Sequence, residues 1–210
     1  GIEIPPNLIV AGTVNMDETT HGFSRKVIDR ALTLDFQEFF PNNFQAFIDG
    51  GQIEPKSLGF PFVSEGASAD CPSLDDGGDS RQLTADFLKG LNEILENTPF
   101  ELAYRALNEC LISVSCFDPN TMEDLEAVWD DFMMQKVLPR IEGDVAKLRA
   151  KPEQKTDAGL KTESYGKDTV LHAIHQRLGE SEFKEIWDGE SRPDLLRDTE
   201  APIACRSRQK

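Results

Sequence analysis

The sequence predicts a mainly α protein: a short strand–helix–strand segment first, then a long irregular stretch, then a helical bundle. Three observations carry this. "NLIVAGTV" (7–14) is a compact apolar run ending in small residues, and a short helical pattern and "LTLDF" (32–36) follow it. Residues 41–82 are rich in Pro, Gly, Asn, Asp and Ser. From Leu83 onward apolar residues recur at helical spacing.

The first run reads as a fully buried strand of the parallel-sheet kind. Ser24 is placed to cap a short helix that turns Val27, Ile28 and Ala31 to one face. "LTLDF" is then a second strand, and strand–loop–helix–strand is an α/β signature. Within 41–82, "SEGASADCPSLDDGGDS" (64–80) is the clearest loop, and a loop this long is usually functional, disordered or an insertion. Leu83, Phe87, Leu88, Leu91, Ile94 and Leu95 form the first long apolar seam. "NTPFE" restarts the chain: Thr98 suits an N-cap, Pro99 the first helical position, and Glu101 the far corner of a capping box. The next seam is Ala103, Ala106, Leu107, Cys110, Leu111 and Val114. Thr121 caps a third helix, whose Leu125, Val128, Trp129, Phe132, Met133 and Val137 run to an end near Pro139 or Gly143. A last helix is expected near 168–180 with Leu171, Ile174 and Leu178 inward, and Phe183, Ile186 and Trp187 docking the tail.

Composition bounds the function. With 210 residues, 39% apolar and 29% charged, the chain has the make-up of a globular protein. A net charge of -16 repels phosphate backbones and excludes direct nucleic-acid binding by this segment, while favouring a basic partner surface. No apolar run approaches the ~18 residues of a membrane span, and no basic stretch leads into an apolar region and a cleavage site. Cysteines at 71, 110, 116 and 205 form no CxxC pair, which reads as reduced thiols in a cytoplasmic setting; a Cys110–Cys116 bridge is the lesser alternative.

Few residues invite chemistry. Asn15 directly follows the first strand, and in open α/β sheets ligands sit beyond the carboxyl ends of the strands. It can touch a ligand or an attacking water, or simply form a turn. Arg25, Lys26 and Arg30 are basic residues on or near a short helix of an acidic chain. They are either solvated or able to reach a neighbouring subunit's phosphates. His172 and His175 share a helix face with Glu180 and Glu182 nearby, but no further ligands converge and no metal site is expected. "DLEAVWDDF" (124–132) reads as core on one face and solvated acid on the other.

"NLIVAGTVNMDETTHGFSRKVIDRA" resembles the sensor 1 strand and following helix of AAA+ NTPases, and more narrowly the McrB-like GTPase subunits of modification-dependent restriction systems. "GTVN" (12–15) is similar to that branch's GTxN motif and "DRAL" (29–32) to its D-x-A-L motif. "TPFELAYRALNECL" (98–111), with Tyr104 and Arg105, is similar to its lid helix, and "MMQKVLPRIEGD" (133–144) to its QK-x-LP segment. "LHAIHQRLGESEFKEIW" (171–187) resembles its C-terminal helix and aromatic tail. The ordered set spans most of the chain, with the 41–82 stretch unmatched. Two departures stand out: "NMDE" (15–18) replaces an NTAD motif, and "TLD" (33–35) replaces a run of arginines.

The resemblance implies 1–40 as a remnant of an AAA+ α/β core, 41–82 as a long loop or insertion, and 83–149 as a helical lid. A linker (150–167), a C-terminal helix with an aromatic tail (168–190) and a frayed tail (191–210) complete it. It implies that Asn15 positions the attacking water, that Arg25 or Arg30 acts on the next subunit's site, and that Arg105 touches the nucleotide from the lid. The intact protein would form a ring, expected to be a hexamer, and hydrolyse GTP or ATP with Mg to drive a nuclease or other protein partner. No GxxxxGK[ST] occurs in the chain. This chain alone is therefore expected to bind no cofactor and hydrolyse nothing, as the C-terminal portion of a longer protein or a separately encoded half. The implied sheet order, 5-1-4-3-2, makes the two strands here numbers 4 and 5, which flank a strand 1 that is missing. Residues 1–40 should then be the least stable part. Two other readings stand beside this one: a non-catalytic helical interaction module with a vestigial AAA+ segment, and a MoxR-like ATPase chaperone.

Overall fold

The computed structural model describes residues 5, 8–13, 24–34, 44–49, 55–57, 64–142, 147–148, 169–180, 191–197, 202–205 and 207. They are mainly helical. Two short helices, α1 (Arg25–Ile28) and α2 (Phe44–Asp49), precede a bundle of α3 (Ser80–Leu95), α4 (Tyr104–Phe117), α5 (Met122–Phe132) and α6 (Val170–Glu180). A two-stranded antiparallel ribbon, β1 (Ser191–Arg192) and β2 (Ile203–Ala204), closes the chain.

The bundle starts earlier than the apolar period alone suggests. Asp79 caps α3, its carboxylate accepting the amide hydrogens of Arg81 and Gln82 at 3.0 and 3.3 Å. Ser80 and Thr84 extend the buried face upstream of Phe87, Leu88, Leu91 and Leu95. The helix is therefore a turn longer than the expected start at Leu83.

The stretch before it is seated rather than loose. Arg81 donates to the carbonyls of Gly66 and Ala67, each at 3.0 Å, and to that of Ala69. Ala69 and Leu74 are buried, and the 66–68 turn packs on α4. Gly66 explains the close approach. Its amide donates to Asn108 Oδ1 at 2.6 Å, and a Cβ there would lie 2.7 Å from the Asn108 carbonyl oxygen. Gly66→Ala is expected to cost about 1–3 kcal/mol through forced backbone shifts. An unchanged melting temperature by circular dichroism would show that the turn is not seated there.

The helix expected at Thr98 starts instead at Tyr104. Asn92 is the reason: its side chain donates to the Leu102 carbonyl and accepts the Leu102 amide, both at 2.8 Å. Those two hydrogen bonds pin Leu102 to α3, so the chain turns through 96–100 and α4 begins only after Ala103. Thr98 turns back to the Leu95 carbonyl and accepts the Phe100 amide, so it stabilises a turn and caps no helix. Ala103, expected in the seam, is the exposed residue before the helix, which buries Ala106, Cys110, Leu111 and Val114.

Helix α5 is the centre of the bundle. Thr121 and Asp124 form the capping box at its start, and Glu123 and Asp124 complement the helix dipole. Every residue from Leu125 to Asp130 is buried, so the helix has no solvent face there. Trp129 stacks on Phe87 with centroids 4.4 Å apart and rings 5° from parallel. The axis continues through a π-helical turn (Met133–Val137) into a 3₁₀ turn (Leu138–Arg140), ending near Pro139 as expected. In α6 the inward stripe is Val170, Ile174 and Leu178, and Leu171 points outward at 41% exposure.

Two expectations at the ends are overturned. Residues 8–13 and 32–34 form no strand: Ile9 and Val10 are 80% and 87% exposed, and Leu32 and Leu34 are exposed too. A strand needs a partner strand for its backbone groups, and among the described residues none pairs with these. Helix α1 does form, but Val27 and Ala31 are exposed rather than buried. The described residues of the tail expected to fray (191–210) are instead tied down. Arg192, Leu195 and Cys205 are buried, β1 packs on α5, and the Lys56 amide donates to the Leu196 carbonyl at 2.8 Å. The expected linker (150–167) and Phe183, Ile186 and Trp187 lie outside the described residues.

Candidate functional site

Two buried charged clusters hang on the α5 axis, and in place of the solvated acid that the sequence suggests, the middle of this helix buries two carboxylates. Glu126 and Asp130 are 1% and 0% exposed. In the first cluster, Arg192 Nε lies 2.6 Å from Asp130 Oδ2, and its guanidinium also bonds Asp131. The Nε contact is an ion pair without good hydrogen-bond alignment, so its attraction is coulombic. The other Asp130 oxygen accepts the Ser207 amide at 2.8 Å, the Ser207 hydroxyl and the Cys205 thiol at 3.3 Å. One carboxylate thus gathers β1 and the chain after β2 onto the central helix.

The second cluster joins the start of the chain to the bundle. Lys136, 1% exposed, places its ammonium 2.7 Å from Glu109 Oε2 of α4 and donates to the Ala31 carbonyl at 3.1 Å. The Glu109 contact too is an ion pair without hydrogen-bond alignment. Next to it the Thr33 amide donates to the Gln135 carbonyl at 3.1 Å. Pro139 explains why that carbonyl is available: four residues on, where an α-helix would supply a donor, proline has no N–H. Arg140 completes the junction. It lies 3.3 Å from Asp29 and donates to the Glu101 carbonyl at 3.4 Å, just before α4 begins.

This junction brings together three stretches that the sequence set apart: "DRAL" (29–32), "QKVLPRI" (135–141) and the approach to α4. Of the residues expected to act, Arg30 sits exposed on the turn after α1. Arg105 is exposed on the first turn of α4 beside Tyr104, which is 90% exposed. Arg140 links the neighbours of both. Arg25 opens α1, and its side chain, like Asn15, lies outside the described residues. Sequence reasoning missed Lys136, although it falls four residues after Phe132 on the Leu125–Trp129–Phe132 stripe. A lysine on an inward stripe is the signal.

Other chemistry is sparse. His172 is half-buried and His175 exposed, and among the described residues no group of three or more His, Cys, Asp or Glu could hold a metal. All four cysteines are free. Burial pushes the thiols of Cys71, Cys110 and Cys116 up, which disfavours the nucleophilic thiolate. No helix of the described residues is long and apolar enough to cross a membrane.

A family model described as "Domain of unknown function (DUF8727)" matches residues 68–192, well over half of the chain. The chain belongs to the DUF8727 family. The DUF8727 region runs from the turn under α4 to Arg192, so it contains Glu109, Asp130, Lys136 and the arginine that closes the bundle. The 29–33 stretch docks on it from outside. No curated protein and no solved structure matches the chain.

Proposed function

We propose that this chain is the sensor 1 and lid portion of an oligomeric AAA+ nucleoside triphosphatase of the McrB-like kind, using GTP or ATP. One observation supports the reading above the others. Ala31 and Lys136 stand 105 positions apart, each within a stretch that resembles the family, and they are in direct contact. The exposed apolar residues at 8–10 fit the same reading, since a sensor 1 strand needs sheet neighbours that the described residues do not supply. In this reading Asn15 orients the attacking water, Arg30 or Arg25 meets the phosphates of the next subunit, and Arg105 contacts the nucleotide from the lid. The phosphate-cradling loop and the Mg ligands come from outside these 210 residues, because no GxxxxGK[ST] lies within them.

The test is GTP and ATP turnover by the natural gene product isolated from its source cells, with Asn15→Ala and Arg30→Ala beside it. Each substitution is expected to lower kcat by roughly 10²–10³-fold, the scale seen when one group stabilising a transition state is removed. Residues 1–210 alone are expected to turn over neither nucleotide. Wild-type levels of kcat in both variants would defeat the assignment. A second reading, a non-catalytic helical interaction module, is favoured by where the family match starts: residue 68 leaves the whole sensor-like stretch outside. A natural product that binds neither GTP nor ATP would favour it.

A further inference from the structure

We propose that Lys136 is a positioning residue: it clamps the 29–33 stretch to the bundle and thereby sets where Arg30 stands. The catalytic part of this rests on the nucleotide-hydrolysing reading above. The clamp itself rests on geometry. Lys136 is 1% exposed, and a buried ammonium is tolerated only where partners offset its lost hydration. Its partners come from two places: the Glu109 carboxylate of α4 at 2.7 Å and the Ala31 carbonyl at 3.1 Å. An apolar side chain would fill the same space without discriminating where residue 31 lies. The ammonium is satisfied only when a backbone oxygen comes to one place.

Two further contacts fix the register on either side. The Thr33 amide reaches the Gln135 carbonyl at 3.1 Å, and Asp29 reaches Arg140 at 3.3 Å. Arg30 lies between clamped neighbours, yet among the described residues no hydrogen bond or ion pair holds its own side chain. Its backbone is fixed and its guanidinium projects. A π-helical turn carries Gln135 and Lys136, and such turns concentrate at functional sites. Because Glu109 and Glu101 belong to α4 and its approach, movement of α4 relative to α5 would reach Arg30 through Lys136 and Arg140.

The experiment uses the full natural gene product with Lys136→Gln, Lys136→Arg, Glu109→Gln, Arg30→Ala and the Lys136→Gln/Arg30→Ala pair. Hydrogen exchange at the Thr33 amide reads the clamp, and kcat and KM read its consequence. Lys136→Gln and the gentler Glu109→Gln are expected to speed Thr33 exchange by about tenfold or more. Lys136→Gln should lower kcat by roughly 10–100-fold with KM unchanged, the scale of a misplaced group. Lys136→Arg should keep most of the wild-type kcat. The double variant should be no slower than Arg30→Ala alone, because both act through one group. Unchanged Thr33 exchange in both Lys136→Gln and Glu109→Gln would overturn the clamp. Independent, multiplying losses in the double variant would overturn the link to Arg30. A wild-type product that turns over neither nucleotide would overturn the function proposed above and the role of Arg30 with it, and Thr33 exchange would still decide the clamp.

Discussion

Replacing Arg192 by methionine is expected to lower the unfolding free energy by about 3–5 kcal/mol, because it removes a buried guanidinium from its pairing with Asp130 and Asp131. Asp130 is fully buried, and among the described residues Arg192 Nε faces its carboxylate at 2.6 Å. Methionine retains bulk but no charge. The hydrogen bonds from Ser207 and Cys205 would remain, but a neutral donor offsets a buried carboxylate less than a guanidinium does. In a chain of this length the loss corresponds to a fall in Tm on the order of 10 °C. Chemical denaturation followed by circular dichroism measures it, and Asp130→Asn combined with Arg192→Met should recover part of the loss, since the Asp130 charge is then removed too while Asp131 still loses its contact with Arg192. A change below ~1 kcal/mol in the single variant, the ordinary range of a surface substitution, would mean that the tail is not docked and that 191–207 behaves as the frayed end its polar sequence suggests.

Trp129→Ala should cost a comparable ~3–5 kcal/mol, for a different reason. The indole is fully buried, stacks on Phe87 at 4.4 Å and donates through Nε1 to Thr84 Oγ1 at 3.1 Å. The Thr84 hydroxyl passes its own hydrogen to the Ser80 carbonyl at 2.7 Å. Truncation leaves a cavity between α3 and α5 and removes one donor from a buried hydroxyl. Trp129→Phe separates the two effects. It keeps a ring against Phe87 and should lose only about 1–2 kcal/mol, chiefly the hydrogen bond and the smaller volume. Equilibrium urea unfolding, read by the helix signal with an unchanged m-value, distinguishes lost stability from a changed denatured state. Equal stability of Trp129→Ala and wild type would place the indole outside the core and refute the α3–α5 packing.

Both predictions concern residues whose weight the sequence shows unequally. Trp129 was legible, because it repeats with Leu125 and Phe132 at helical spacing, and spacing reflects the geometry of a single helix. The capping box at Thr121 was legible for the same reason: Thr121 and Asp124 act within one turn. Local signals failed wherever a distant residue intervened. Thr98 has every feature of an N-cap, yet the Asn92 side chain holds Leu102 and delays α4. The first turn of α3 lies upstream of its apolar seam because Ser80 and Thr84 are polar, and they are buried by the loop and the indole that meet them from elsewhere.

Helical content, the order of the four long helices and the identity of most core side chains were determined by the sequence itself, since period and capping act over a few residues. The sequence also marked the 29–32 and 133–144 stretches, each by resemblance to a motif of one family and neither as a partner of the other. Tertiary structure decided the rest. It made α5 central, and a helix with neighbours all round turns Glu126, Asp130 and Lys136 from ordinary surface charges into buried ones. It chose Arg192 to balance Asp130 from 62 positions away, and Ala31 to meet Lys136 from 105. It left 8–13 without a sheet, because a strand is stable only beside another strand. Contacts between residues far apart in the chain depend on how whole helices pack, and no pattern within one helix encodes that.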